Sequence, residues 1–283
     1  GALLAGIPGD RYGARTSLEA IALLYLVSGI GCLLAVNWPM LLVMRVLGAA
    51  ELLSLWERGM SRHALDRAAL LAATAHPNWP ADAITDLPLG AIGSSLLRLR
   101  AANFGPRIEA HADCQQCGER LAVALEVAEL LHGAAPEDGT APESPTVTVA
   151  DGLQVRASSL RDLAAVASLA PDAAADALLA RCTLNGRALP LDAATRAQGE
   201  DALEALDPQA DLAFTLNCVA CGHEDQAQLD TAALLWDEIT ARAGALLHEV
   251  HRLASAYGWS EAQILALSPA RRAQYLALVE GMS

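Results

Sequence analysis

Two short stretches a hundred residues apart constrain this chain more than any other feature: Cys114-Gln-Gln-Cys117-Gly118 and Cys218-Val-Ala-Cys221-Gly222. A Cys-x-x-Cys sequence puts two thiols in one tight turn, and the glycine after it permits the positive φ that aims backbone amides at the sulfurs. Strand-like runs flank both turns, at 107–113 and 119–127 and at 211–217 and 223–229. Together the knuckles supply four thiolates, Cys114, Cys117, Cys218 and Cys221. That is the full tetrahedral set of one structural zinc ion, with no open position left for catalysis. Compact zinc sites space their pairs by about 15–20 residues, so this pattern reads as a zinc ribbon split by a long insertion. Two disulfides or a redox Cys-x-x-Cys are the competing readings; neither pair precedes the helix that a thioredoxin-like motif requires. His111 and His223 lie beside the site, as substitute ligands or, more simply, as exposed strand histidines.

Six cysteines are sparse for a disulfide scaffold in a chain of 283 residues, and metal binding implies a reducing compartment. A net charge of −14, with nineteen basic residues that are all Arg, excludes a nucleic-acid binder, which needs clustered cations. No secretory signal is visible, and the first residue is Gly1. Apolar spacing of three and four predicts helices at 51–60, 64–76, 92–102, 159–169 with Ser159 as N-cap, 172–181, 199–206, 230–256, 260–266 and 268–280. Alternation predicts a further strand pair at 146–149 and 153–157 around an Asp151-Gly152 turn. The stretch 136–145, rich in Pro and acid, reads as a solvated loop.

The first fifty residues differ in character. From residue 20 to 36 the chain has no charge and no proline, enough for about 25 Å of helix against a bilayer core of about 30 Å, which reads as a membrane span with a buried core helix of a soluble protein as the alternative. Asn37-Trp38-Pro39 breaks it, and 40–50 starts a second apolar helix. Arg11 and Arg15 place the preceding side in the cytoplasm. The expected fold class is therefore α+β: a mostly helical domain at 51–283 with an inserted zinc-ribbon-like β portion, preceded by one to two transmembrane-type helices. The 51–283 domain is expected in the cytoplasm and the full chain at the membrane.

Gly6-Ile-Pro-Gly-Asp10-Arg11-Tyr-Gly13-Ala-Arg15 resembles the loop between the second and third helices of major facilitator superfamily transporters. The residues that follow, through Arg45 and Gly48, continue like the sugar-porter branch. The resemblance implies gating contacts for Asp10 and Arg11. It covers only residues 1–50, so this region reads as a truncated transporter segment and the chain as chimeric.

Elsewhere the signals are weaker. His248-Glu249-Val250-His251 lacks the i, i+4 histidine spacing of a zinc protease and reads as a polar helix face. Cys182 reads as a small buried residue, Cys32 has no assigned role, and Asp201, Glu204 and Asp207 read as a charged helix surface. No P-loop, dinucleotide glycine motif or nucleophile elbow occurs, and no active site is expected. Leu53-Ser-Leu-Trp56-Glu57-Arg58-Gly59, Leu65-Asp66-Arg67-Ala68, Asp86-Leu-Pro-Leu-Gly90 and Phe104-Gly105 are similar to the opening of small proteins from phage-tail and contractile injection system clusters. The segment from His248 through Tyr257-Gly-Trp259-Ser-Glu261 to Arg271-Arg272 and Tyr275 resembles the ending of the same group, the baseplate-hub assembly proteins of T-even-type phages. Position 92–95, Ile-Gly-Ser-Ser, departs from the polar helix start expected there.

That resemblance implies a non-enzymatic factor in assembling a contractile phage-tail baseplate, with baseplate or hub proteins as partners. Tyr257, Trp259 and Tyr275 are the candidate partner contacts, or else pack the last helices. A fragment of a membrane transporter is the alternative function, and a zinc-dependent or redox enzyme the third.

Overall fold

The computed structural model describes residues 47–134, 139–149, 152–184 and 192–281. All belong to the C-terminal of the two units into which the chain divides, Val43–Ser283. Four helices make the centre: α1 (Ala49–Gly59), α2 (Ala64–Ala75), α3 (Leu89–Phe104) and the 27-residue α8 (Thr231–Tyr257). On α8, Leu235, Ile239, Ala243, Leu246 and Leu253 recur at three- and four-residue spacing and are all buried, the stripe an amphipathic helix presents to a core. Leu52 and Leu55 of α1, Leu71 of α2 and Ile92 and Leu96 of α3 complete that core. At fully buried positions each such side chain contributes about 1.5–3 kcal/mol.

Two antiparallel hairpins grow from this bundle, β1 (Arg107–Asp113) with β2 (Arg120–Glu126), and β5 (Ala213–Asn217) with β6 (Glu224–Gln228). A one-turn helix, α4 (Val127–Leu130), follows β2. Leu97 of α3, Ile108 of β1 and Val127 pack with Leu234 of α8 at the hairpin roots. Arg100, a buried residue of α3, sets the position of the first hairpin. It bonds both carboxylate oxygens of Glu238 on α8 and the carbonyls of Gly105 and Arg107, the latter two at 2.7 Å. A planar guanidinium with five donors suits that fork.

The insertion between the knuckles forms a side layer: β3 (Thr146–Thr148) pairs with β4 (Gln154–Arg156), and α6 (Pro171–Cys182) and α7 (Ala193–Leu206) pack on that hairpin, with α5 (Leu160–Val166) packed against α6. Ser159 caps α5 in a reciprocal capping box with Asp162, as its sequence implies. Gly152 sits at φ 73° in the β3–β4 turn. The chain ends in α9 (Glu261–Leu265) and α10 (Pro269–Gly281), with buried Arg272 of α10 bonded to Glu249 of α8 at 2.9 Å and to the Leu267 carbonyl at 2.7 Å.

The α+β class with small sheets is as expected, but its transmembrane-type component is corrected. Among the described residues no helix is long and apolar enough to cross a membrane. Only α8 has the length, and it carries Asp237, Glu238, Arg242, Glu249 and Arg252. Residues 47–50, assigned above to a second apolar helix, belong instead to the globular unit. Leu47 is buried against the bundle, its N–H bonds Asn103 Oδ1 at 2.7 Å, and α1 begins at Ala49. A domain start at 51 falls inside that helix. The apolar run 20–36, Cys32 and the transporter-loop positions Gly6, Asp10, Arg11, Gly13 and Arg15 lie outside the described residues.

Candidate metal centre

The two knuckles are built alike. Cys114 N donates to the Glu119 carbonyl and Gly118 N to the Cys114 carbonyl, both at 2.9 Å. Their counterparts are Cys218 N to His223 at 2.9 Å and Gly222 N to Cys218 at 2.8 Å. Gly118 and Gly222 have φ of 73° and 71°. A Cβ at either would meet nothing within 4 Å, so glycine is required there by backbone conformation, not by space.

The hairpins bring these turns tip to tip. Cys114 Sγ lies 3.7 Å from Cys221 Sγ, and Cys117 Sγ 3.6 Å from Cys218 Sγ. All four sulfurs lie within 4.8 Å of one another, a cluster that can hold a metal ion. A tetrahedron with metal–sulfur bonds of about 2.3 Å has edges of about 3.8 Å, and the crosswise pairs match it. Disulfide sulfurs would stand about 2.05 Å apart, and these cysteines are free. The first cysteine of each turn is buried, packed against Leu121 and Leu216, and the second is exposed.

The turns also prepare the first thiol of each pair for ionisation. Backbone amides of Cys117 and Gln116 pull the Cys114 thiol below its ordinary range. The Cys221 amide, joined by that of Ala220 against the cost of burial, brings Cys218 down to about 7. The second cysteines go the other way. The Glu119 amide lowers Cys117, but the thiols of Cys221, Cys218 and Cys114, together with burial, push it up to about 12. The His223 amide lowers Cys221 and is outweighed by burial and neighbouring thiols. Like charges at such separations oppose one another, so all four ionise together only around a cation.

The remaining sequence candidates fall elsewhere. His111 is exposed on β1, and neither it nor His223 joins the cluster. His248 and His251 are exposed on α8, where Glu249 is committed to Arg272. Cys182 is buried, and burial pushes its thiol up to about 11, which makes it inert. Tyr257, Trp259 and Tyr275 form one half-buried cluster. Tyr257 and Trp259 stack with ring centroids 4.7 Å apart, and Tyr275 meets them edge-on at 5.7 and 4.9 Å. Asp207, read above as surface, is a half-buried cap for α3: its Oδ2 accepts from Gly90 N at 2.8 Å, and burial raises its carboxyl. Neither that role nor the Arg100 fork carries a local sequence signal, because their partners lie 117 and 138 residues away. Comparison with family models, with curated proteins and with solved structures finds no match to this chain.

Proposed function

We propose that the chain is a non-enzymatic assembly protein whose two hairpins are clamped by one structural zinc ion. On this reading it works in the cytoplasm, where thiols stay reduced, during assembly of a contractile-tail baseplate. The observation that carries the structural role is the closed sulfur tetrad: four ligands from two rigid turns leave no position for water or substrate, which a catalytic zinc needs. The baseplate assignment rests on the likeness of the opening segment and of the segment from His248 to Tyr275 to baseplate-hub assembly proteins. It is supported by the absence of a catalytic motif from the sequence.

Elemental analysis of the purified chain should find about one zinc per chain, and Cys218→Ser should abolish it. The neighbouring genes should encode sheath, tube and spike proteins, and the chain should bind the hub protein among them. Metal-dependent hydrolysis lost in a Cys221 variant, or neighbours unrelated to a contractile particle, would overturn the corresponding half of the proposal.

A further inference from the structure

Each hairpin leaves one strand edge turned toward the other hairpin. In the first, Cys114 N bonds Glu119 O at the tip and Val127 N bonds Pro106 O at the root, both at 2.9 Å. Antiparallel ladders alternate bonded and non-bonded pairs. With Ala110 opposite Val123 and His111 opposite Ala122, the count sends the N–H and C=O of Arg120, Ala122 and Ala124 away from β1. In the second hairpin the bonds Cys218 N to His223 O and Leu229 N to Leu212 O set the same alternation. Thr215, opposite Gln226, and Asn217, opposite Glu224, therefore turn theirs away from β6. These outward groups have no backbone partner among the described residues.

A groove of about 460 Å³ lies there, lined by the consecutive residues 120–125 of β2 and 214–217 of β5. A sheet face contributes every second residue and a sheet edge every residue, so the groove is walled by two edges. β2 and β5 belong to separate sheets. Ala122 and Ala124 leave little side chain in the way of an approaching backbone. Val219, 92% exposed, stands at the metal end. Arg120 is the one charged residue among those lining the groove; the hairpins around it, residues 107–126 and 211–230, hold eight carboxylates and two guanidiniums, and a zinc ion with four thiolates would add two further negative charges.

We propose that this groove accepts an extended, basic segment of a partner protein, which adds as a β-strand between β2 and β5. Unpaired edges recruit strands through their main-chain groups, and the acidic surround selects the charge. This goes beyond the assembly reading, because it specifies a surface and a ligand chemistry whatever particle the partner belongs to.

The test uses the zinc-loaded full chain and a labelled probe peptide, Arg-Val-Thr-Val-Arg-Thr-Val, followed by fluorescence anisotropy. Saturable binding is expected, at least tenfold weaker for the same peptide N-methylated at alternate residues and for the peptide with Glu in place of Arg. Ala122→Pro, which removes an outward amide and spares the ladder, should also weaken it tenfold. His111→Pro, the equivalent change on the opposite edge, should leave it unchanged. No saturable binding, or equal binding of the methylated peptide to the unaltered protein, overturns the proposal whether or not Ala122→Pro folds well. Dimerisation of the chain that Ala122→Pro abolishes would overturn it in favour of a second copy as occupant.

Discussion

Asp162 is the most heavily committed single residue in the side layer. Its side chain is 1% exposed and bonds Arg156 at 2.7 Å, Arg181 at 3.0 Å and the Ser159 hydroxyl at 2.8 Å. Burial pushes its carboxyl up, but the bonds from Arg156, Ser159 and Arg181 outweigh burial and hold it at about 2, below the ordinary 3.8. A depressed carboxyl pKa adds stability above the unfolded value and loses it as pH falls through the folded one. Thermal melts should therefore show Asp162→Ala less stable than the parent at pH 7, by about 3 kcal/mol, the low end for breaking a buried pair because both arginines are partly hydrated. That gap should narrow between about pH 4 and pH 2, as the advantage of the ionised carboxylate is lost. The aromatic cluster gives a second prediction at this scale. Trp259 makes two ring contacts, each worth about 0.5–1.5 kcal/mol, so Trp259→Ala should lower the melting temperature by several degrees. An unchanged melting temperature with lost hub-protein binding would instead make the ring a partner contact. The four cysteines were legible because each ligand pair is local. The roles of Asp207, Arg100 and Glu249 were not, since their partners come from other elements.

Element boundaries show where local reading stops. β1 occupies 107–113 as its alternation implies, and α8 runs within one residue of expectation. α3, however, begins at Leu89 and not at 92, because its first turn is capped by Asp207 from across the fold. Ile92, Ser94 and Ser95 are then buried mid-helix positions, so Ile-Gly-Ser-Ser does not need a polar start. α7 begins at Ala193, six residues early, with Asp192 accepting from Ala194 N and Thr195 N. Its first turns, Ala-Ala-Thr-Arg-Ala, lack an apolar stripe to announce them. Gly90→Ala tests the remote cap. Helix propensity favours Ala by about 1 kcal/mol, but the new Cβ would collide with the Asp207 carboxylate and approach Gln209 Cβ to 2.7 Å. Overpacking of that kind costs about 1–3 kcal/mol and the cap about 1 kcal/mol more. The net expectation is a melting temperature lowered by several degrees, measured calorimetrically.

Across the whole molecule, apolar contacts fall into separate clusters: the bundle, the hairpin roots, the cysteine tips and the side layer. On the proposed zinc reading, chelation should therefore free the hairpin tips without dissolving the bundle. Far-UV circular dichroism should keep its helical signal while amide exchange accelerates at 110–124 and 214–226. Loss of the helical signal on chelation would show that the clamp supports the bundle as well. The clamp also carries a consequence in time. One half of the cysteine cluster leaves the ribosome about a hundred residues before the other. At about 5–20 residues per second, a nascent chain presents a lone dithiol for roughly 5–20 seconds while the side layer is still being synthesised. Until Cys218 and Cys221 arrive, oxidants and competing metals have access to that pair, so newly made chains are its most vulnerable form.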